Sequence, residues 1–313
     1  MRRAERPVGS ALGRSPDRRV RAAAARSVRA AVTVWRTFSG PGRRPTKTLA
    51  AVVAALAVLA VLTPAAPDGT RLAVRLAAAV QGLGRTAHQA ATGASGPATP
   101  SDPIGALFRV THGGGLTGGH FCTASVVDSP RGDLVMTAAH CVTGLDAGQF
   151  AFVPGFRDGH TPYGVWPVTR VTVDQAWARS ADPDHDVAFL QVRKVGSDAT
   201  VQSVTGGERV GLSQPAGQFV RVTGYPDRRS APITCENWVS AFSPTQLRFD
   251  CAGYTNGTSG SPLLADISPT TGLGTVIGVI GGYQQGGDTD SVSYAARLGA
   301  SAAALYRAAT SQP

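Results

Sequence analysis

The spacing of apolar and polar positions changes three times along the chain. Residues 1–47 are a basic leader. Leu49 to Leu62 is an unbroken run of Ala, Val and Leu, and the small residues of Thr63-Pro64-Ala65 follow it. Residues 67–102 begin with Leu72, Val74, Leu76, Val80 and Leu83 among alanines, a weakly amphipathic helical pattern, and end in a Thr/Gly/Ser/Pro-rich stretch with the composition of a linker. From 103 onward short apolar runs rich in β-branched and aromatic residues recur between Gly, Pro and Asp turn signals, at 107–110, 123–127, 134–138, 165–173, 187–192, 219–223, 238–242, 246–249 and 276–280. That is the texture of an all-β barrel or sandwich. The run at 165–173 places Val165, Val171 and Val173 on one parity, as a half-buried strand requires. The chain closes on an alanine-rich helical stretch at 296–307. No internal repeat is present, and roughly 200 residues beyond position 103 suffice for a sizeable core.

Charge sharpens this division. Residues 1–47 hold 13 Lys/Arg against Glu5 and Asp17, a net of +11, whereas 48–313 hold 17 basic and 18 acidic residues, a net of −1. The basic pI therefore belongs to the leader, and no nucleic-acid partner is expected. A basic flank before 14 apolar residues reads as a signal-peptide core, since a membrane span needs about 20. The flank is unusually long. One reading is a signal anchor with a basic cytoplasmic tail, touching the membrane through 48–66; the other is cleavage after Ala65, with translation starting downstream of Met1. Both leave 103–313 outside the cytoplasm, secreted or at the cell surface. The segment 67–102 is then a propeptide or linker. Four cysteines, Cys122, Cys141, Cys235 and Cys251, all fall in the β-rich part, and an even count in an exported chain implies two disulfides in one of three pairings.

Candidate chemistry lies in three short stretches. Thr-Ala-Ala-His-Cys ends at Cys141, Asp-His-Asp-Val-Ala-Phe-Leu ends at Leu190, and Tyr-Thr-Asn-Gly-Thr-Ser-Gly-Ser-Pro ends at Pro262. A serine hydroxyl is a poor nucleophile unless an imidazole takes its proton and a carboxylate holds that imidazole. His140, Asp186 and Ser259 supply one candidate for each role. Asp184 is the nearby rival to Asp186, but it precedes His185 rather than the apolar strand. His112-Gly113-Gly114-Gly115 looks like an esterase oxyanion loop, yet Gly257-Thr258-Ser259-Gly260-Ser261 is not G-x-S-x-G. The stretch 112–120 reads instead as a glycine-rich surface hairpin, and no metal site or cofactor is expected.

The three stretches, in this order, resemble the chymotrypsin-like (trypsin-like) serine proteases over roughly 103–310. The Gly-Thr-Ser-Gly-Ser-Pro variant looks more like the bacterial glutamyl-endopeptidase-like branch than like digestive trypsin. The resemblance implies two six-stranded antiparallel β-barrels with a C-terminal helix, acting as a monomer on a protein or peptide substrate. It implies His140 as general base, Asp186 as its orienting carboxylate, Ser259 as nucleophile, and the N–H groups of Gly257 and Ser259 as the oxyanion hole. It also implies a Cys122–Cys141 disulfide, which leaves Cys235–Cys251.

The chain departs from the family pattern in three places. Thr258 stands where digestive trypsins have the aspartate that pairs with a new N-terminus, so that activation switch has no counterpart. Gly253 stands where trypsin-type pockets carry aspartate, so no charge is visible there to select Arg or Lys. Ile280 replaces the histidine of glutamate-selective relatives. With Tyr254 and Ile280 expected to line the pocket beside Gly253, an apolar or small side chain is the expectation. A pseudoprotease that only binds, and a secreted esterase using the same triad, are the competing readings.

Overall fold

The computed structural model describes residues 92–98 and 101–311. The basic leader at 1–47, the apolar run at 48–66 and the helical pattern that follows it lie outside the described residues. Two short strands come first, β1 (Gly93–Ala94) and β2 (Gly96–Pro97). Then β3 (Ile104–Val110), β4 (Leu116–Val126), β5 (Leu134–Thr137), β6 (Phe150–Pro154), β7 (Trp166–Val173) and β8 (Ala188–Val192) form a closed barrel in the order β3-β4-β5-β8-β7-β6. Helices α1 (Gln175–Ser180) and α2 (Val201–Thr205) and the strand β9 (Arg209–Val210) flank the crossing to the second half. There β10 (Phe219–Gly224), β11 (Ile233–Ala241), β12 (Gln246–Ala252), β13 (Pro262–Ala265), β14 (Thr275–Ile280) and β15 (Val292–Arg297) run β12-β15-β14-β13-β10-β11, and β11 pairs back with β12 to close the second barrel. Helix α3 (Ala300–Ser311) ends the described chain and packs on the first barrel through Tyr306 against Phe189, ring centres 5.7 Å apart. The architecture is the pair of six-stranded antiparallel barrels with a C-terminal helix that the resemblance implied.

Each barrel follows from side chains that alternate in and out. In β11, Ile233, Cys235, Asn237 and Val239 are buried while Glu236 is exposed and Thr234, Trp238 and Ser240 are less covered, the period of two a one-sided strand needs. Phe150, Phe152, Trp166 and Leu190 fill the first barrel, and Val222, Phe249, Leu263 and Ile277 the second. A third layer, including Met136, Phe189, Val279 and Leu305, joins the barrels and α3. Burying a large apolar side chain contributes about 1.5–3 kcal/mol, so this shared layer fixes the barrels against each other, and with them the two halves of any site at their junction.

Several elements depart from the sequence expectation. The β7 pattern is not one parity. Trp166 and Val168 face the barrel core, a register shift falls between Val168 and Arg170, and Val171 and Val173 then pack against the same core. A bulge of this kind moves the inward set from even to odd positions. The stretch at 296–307 is not one helix: Ala296 and Arg297 complete β15, and the helix starts at Ala300, after Gly299. β6, β13 and β15 were not anticipated. The linker-like composition at 92–98 also conceals pairing. Gly93 and Ala94 run parallel to Cys251 and Ala252, and Gly96 and Pro97 pair with Thr234 and Ile233, so these residues add two short strands to the second barrel. Gly93 lies so close to the Cys235–Cys251 disulfide that an added Cβ would sit 2.7 Å from Cys251 Sγ. His120 is no surface residue. It is buried among Phe108, Phe156 and Tyr225, with Nε2 2.9 Å from the Pro226 carbonyl, because β4 carries it into the barrel junction.

Candidate active site

His140 sits in a single 3₁₀ turn, 139–141, directly after β5, and Cys141 in that turn is bonded to Cys122 of β4. The turn is thereby tied to the barrel from both sides. Asp186 follows another 3₁₀ turn, 183–185, just before β8, which pairs with β5. Adjacent strands therefore deliver the imidazole and the carboxylate to the same end of the first barrel. Asp186 has no exposed surface. Its Oδ2 accepts from His140 Nδ1 at 2.7 Å and from the Gly282 N–H at 2.7 Å, and its Oδ1 accepts from the His140 N–H at 2.8 Å. A buried carboxylate is tolerated only when its lone pairs are met, and three donors meet them here. Of the two aspartates, Asp186 is the one in contact with His140. Asp184 turns the other way, its Oδ1 accepting from Gln246 Nε2 at 2.8 Å. His185 lies beside Asp182, 3.3 Å from its Oδ2, away from this cluster.

The second barrel brings Ser259 to this end on the loop between β12 and β13. Gly260 presses on the first barrel so closely that an added Cβ would strike the Thr123 carbonyl and Thr137 Oγ1, and its N–H donates to the Ile280 carbonyl at 2.7 Å. Gly281 lies against Asp186 and Ala138 in the same way, with an added Cβ 2.9 Å from Asp186 Oδ2. The serine loop and the histidine turn thus meet across the barrel junction.

The loop's amides are oriented by what holds its carbonyls. The Asn256 carbonyl accepts from the Asp227 N–H at 2.8 Å, and the Thr258 carbonyl accepts from Ser261 Oγ at 2.6 Å. In a planar trans peptide the N–H points opposite the C=O. The N–H groups of Gly257 and Ser259 therefore each point away from their own anchor. Gly257 adopts φ +88°, and a Cβ there would lie 2.5 Å from the Tyr225 carbonyl and 2.6 Å from the Asp227 nitrogen. Only glycine fits that conformation and that space.

Ser259 lines a cleft of about 340 Å³ together with Tyr254 and Ile280. Tyr254 donates its hydroxyl to the Val222 carbonyl at 2.6 Å, and burial pushes its phenol above its ordinary value, so it stays a neutral donor. Gly253 faces elsewhere: an added Cβ there would strike Ser95 Oγ, in the segment joining β1 and β2. Three carboxylates that sequence reasoning missed, Asp227, Asp288 and Asp290, line the same cleft, against one cation, Arg228. They come from two loops far apart in sequence, and nothing in their local sequence announces that they converge. Both disulfides, Cys122–Cys141 and Cys235–Cys251, are formed.

Buried Glu208 lies at the seam between the barrels, where its backbone bridges to Val127 and Oε2 accepts from the Gly274 N–H. Burial is the chief cause that pushes its carboxyl up to about 7, and Oε1 has no hydrogen-bond partner.

Known proteins place this geometry. No curated protein matches the chain. Among solved structures, the protease Anisep from Arthrobacter nicotinovorans is 24% identical, with a TM-score of 0.59 over 70% of this chain and 100% of that one. A thermostable serine protease, AL20, from an extremophilic microorganism is 26% identical, with a TM-score of 0.57 over 68% of this chain and 99% of that one. A Glu endopeptidase is 16% identical, with a TM-score of 0.54 over 71% of this chain and 98% of that one. A family model described as a trypsin-like peptidase domain matches residues 122–279, half of the chain, and spans His140, Asp186 and Ser259. The chain belongs to the trypsin-like peptidase family.

Proposed function

We propose that this chain is an exported serine endopeptidase that cleaves peptide bonds through Ser259, His140 and Asp186. The observation that carries this reading is the buried Asp186 carboxylate, 2.7 Å from His140 Nδ1, at the junction that also holds the Ser259 loop. His140 Nε2 takes the Ser259 hydroxyl proton as Oγ attacks the scissile carbonyl. The tetrahedral oxyanion is stabilised by the N–H groups of Gly257 and Ser259. His140 then returns the proton to the leaving amine, which leaves an acyl-enzyme that water hydrolyses by the same steps. Asp186 keeps the Nδ1–H tautomer and offsets the imidazolium charge. Two disulfides and the basic leader before an apolar run favour export.

The cleft argues against the glutamate preference of the branch that Gly-Thr-Ser-Gly-Ser-Pro suggested. Ile280 offers no charge, and Asp227, Asp288 and Asp290 outnumber Arg228. A glutamate side chain entering there meets like charge, whereas a cationic or small neutral one does not. On a library of peptides varied at the cleaved residue, kcat/KM for glutamate is expected to fall at least about tenfold below that for arginine, as about 1.4 kcal/mol of charge discrimination requires. Simple esters tested alongside separate a peptidase from an esterase. Equal or better cleavage after glutamate would refute the cleft assignment, and hydrolysis of esters without peptides would refute the endopeptidase reading.

A further inference from the structure

Thr123 belongs to no motif. It is a buried residue in β4 of the first barrel, next to the disulfide-bonded Cys122, yet all of its polar groups engage the site. Its N–H donates to the Ser259 carbonyl at 2.8 Å. Its hydroxyl donates to the Gly257 carbonyl at 3.0 Å and accepts from the Tyr225 N–H at 2.9 Å. Its own carbonyl accepts from Thr137 Oγ1 at 2.7 Å, at the end of the strand that leads into the His140 turn. One residue thus holds the nucleophile's carbonyl, the carbonyl of the glycine in the oxyanion loop, and the strand that presents the base.

The hydroxyl contact has a particular consequence. The three successive carbonyls of 256, 257 and 258 are each anchored, the outer two by donors from the second barrel itself, Asp227 and Ser261. Only the middle one is held from the first barrel, by Thr123 Oγ1. The N–H of that same peptide unit, belonging to Thr258, donates to the Thr255 carbonyl at 3.1 Å, so the unit is fixed at both ends. Releasing its carbonyl frees the peptide that lies between the two proposed oxyanion donors.

We infer that Thr123 is a positioning residue whose hydroxyl sets the oxyanion hole of the second barrel in register with the histidine turn of the first. The inference rests on the peptidase reading above. It concerns a group that would touch neither substrate nor the reacting atoms and would act through the Gly257–Thr258 peptide.

The test compares Thr123→Val, which keeps shape and the backbone N–H but removes the hydroxyl, with Thr123→Ser, which keeps the hydroxyl, in the full chain. Rates are expressed per active site counted by fluorophosphonate titration. Thr123→Val is expected to lower kcat about 10²-fold, as loss of an oxyanion donor does, with KM changed by no more than about threefold, because ground-state binding does not use the hole. Affinity for a peptide trifluoromethyl ketone, whose adduct places an oxyanion in the hole, falls by the same factor, and Thr123→Ser restores all three quantities. Wild-type kcat and ketone affinity in Thr123→Val would overturn the assignment. So would equal losses in kcat/KM and in ketone binding explained by KM alone. If the valine chain does not fold, Thr123→Ala takes its place; failure of both to fold, beside a fully active serine variant, would make Thr123 structural and overturn the assignment. An inactive wild-type chain would instead count against the peptidase reading itself.

Discussion

Asp186→Asn is expected to lower kcat by about 10⁴-fold, the size of this change in the Ser-His-Asp template. Each oxygen of the carboxylate already accepts, Oδ1 from the His140 N–H and Oδ2 from His140 Nδ1 and the Gly282 N–H. An asparagine amide can replace only one of these oxygens. If its NH₂ takes the Oδ2 place, it donates to Nδ1, which puts the ring proton on Nε2, where it can no longer accept from Ser259. It also faces the Gly282 N–H, donor against donor. If its NH₂ takes the Oδ1 place, it opposes the His140 N–H. Either arrangement leaves a buried donor unmatched, at a cost of about 1–3 kcal/mol in stability. The control is Asp184→Asn, which keeps an Oδ1 acceptor for Gln246 and is expected to change kcat by no more than about twofold, the size of an ordinary substitution away from the site. Steady-state kinetics on both variants, with circular dichroism to confirm folding, checks the pair. Comparable losses in both would mean that the wrong carboxylate has been assigned.

Gly257→Ala carries the second large effect. The added methyl meets the Tyr225 carbonyl and the Asp227 nitrogen at 2.5 and 2.6 Å, and neither can retreat as a flexible side chain would, since both are backbone. The residue must also abandon φ +88°, which an alanine rarely adopts. The loop therefore shifts, and the Gly257 N–H leaves the direction that the Asn256 carbonyl anchor imposes on it. Losing one oxyanion donor costs about 10²–10³ in kcat. Because the displaced group acts on the tetrahedral intermediate, KM should change little. A kcat within a few-fold of wild type would show that the Gly257 amide takes no part in the chemistry.

The residues proposed to carry chemistry are legible because each sits in a short contiguous motif. His140, Asp186 and Ser259 each stand in their own stretch, and Gly257 lies two before the serine. What convergence creates was not legible. Asp227 lies on a different loop from Asp288 and Asp290, and only the closure of the second barrel brings them around the cleft. Thr123 is one of several polar residues in β4, and its proposed role depends on partners more than 100 positions away. Gly253, placed by its offset from the serine, turns out to abut Ser95 of the amino-terminal segment.

The same division holds for the fold. Most strands rich in Val, Ile and aromatics announced themselves, although β6, Phe-Ala-Phe-Val-Pro, did not. β15 did not, because Ala295 and Ala296 favour helix locally and are held extended by pairing with β12 and β14. β1 and β2 did not, because Gly, Ser and Pro have low strand propensity and are ordered here by the edges they lie on. The parity of β7 failed at a bulge, which inserts a residue without changing composition.

The central claim is that His140 activates Ser259. The most direct test is the rate at which a fluorophosphonate probe labels the folded, disulfide-intact full chain, with the adduct located by mass spectrometry, beside Ser259→Ala and His140→Ala. The account predicts a single adduct on Ser259, absent from Ser259→Ala and slowed by at least about 10³-fold in His140→Ala, the scale on which a general base and its nucleophile act as one unit. Labelling that proceeds equally well without His140, or a folded chain whose Ser259 does not react, would contradict it.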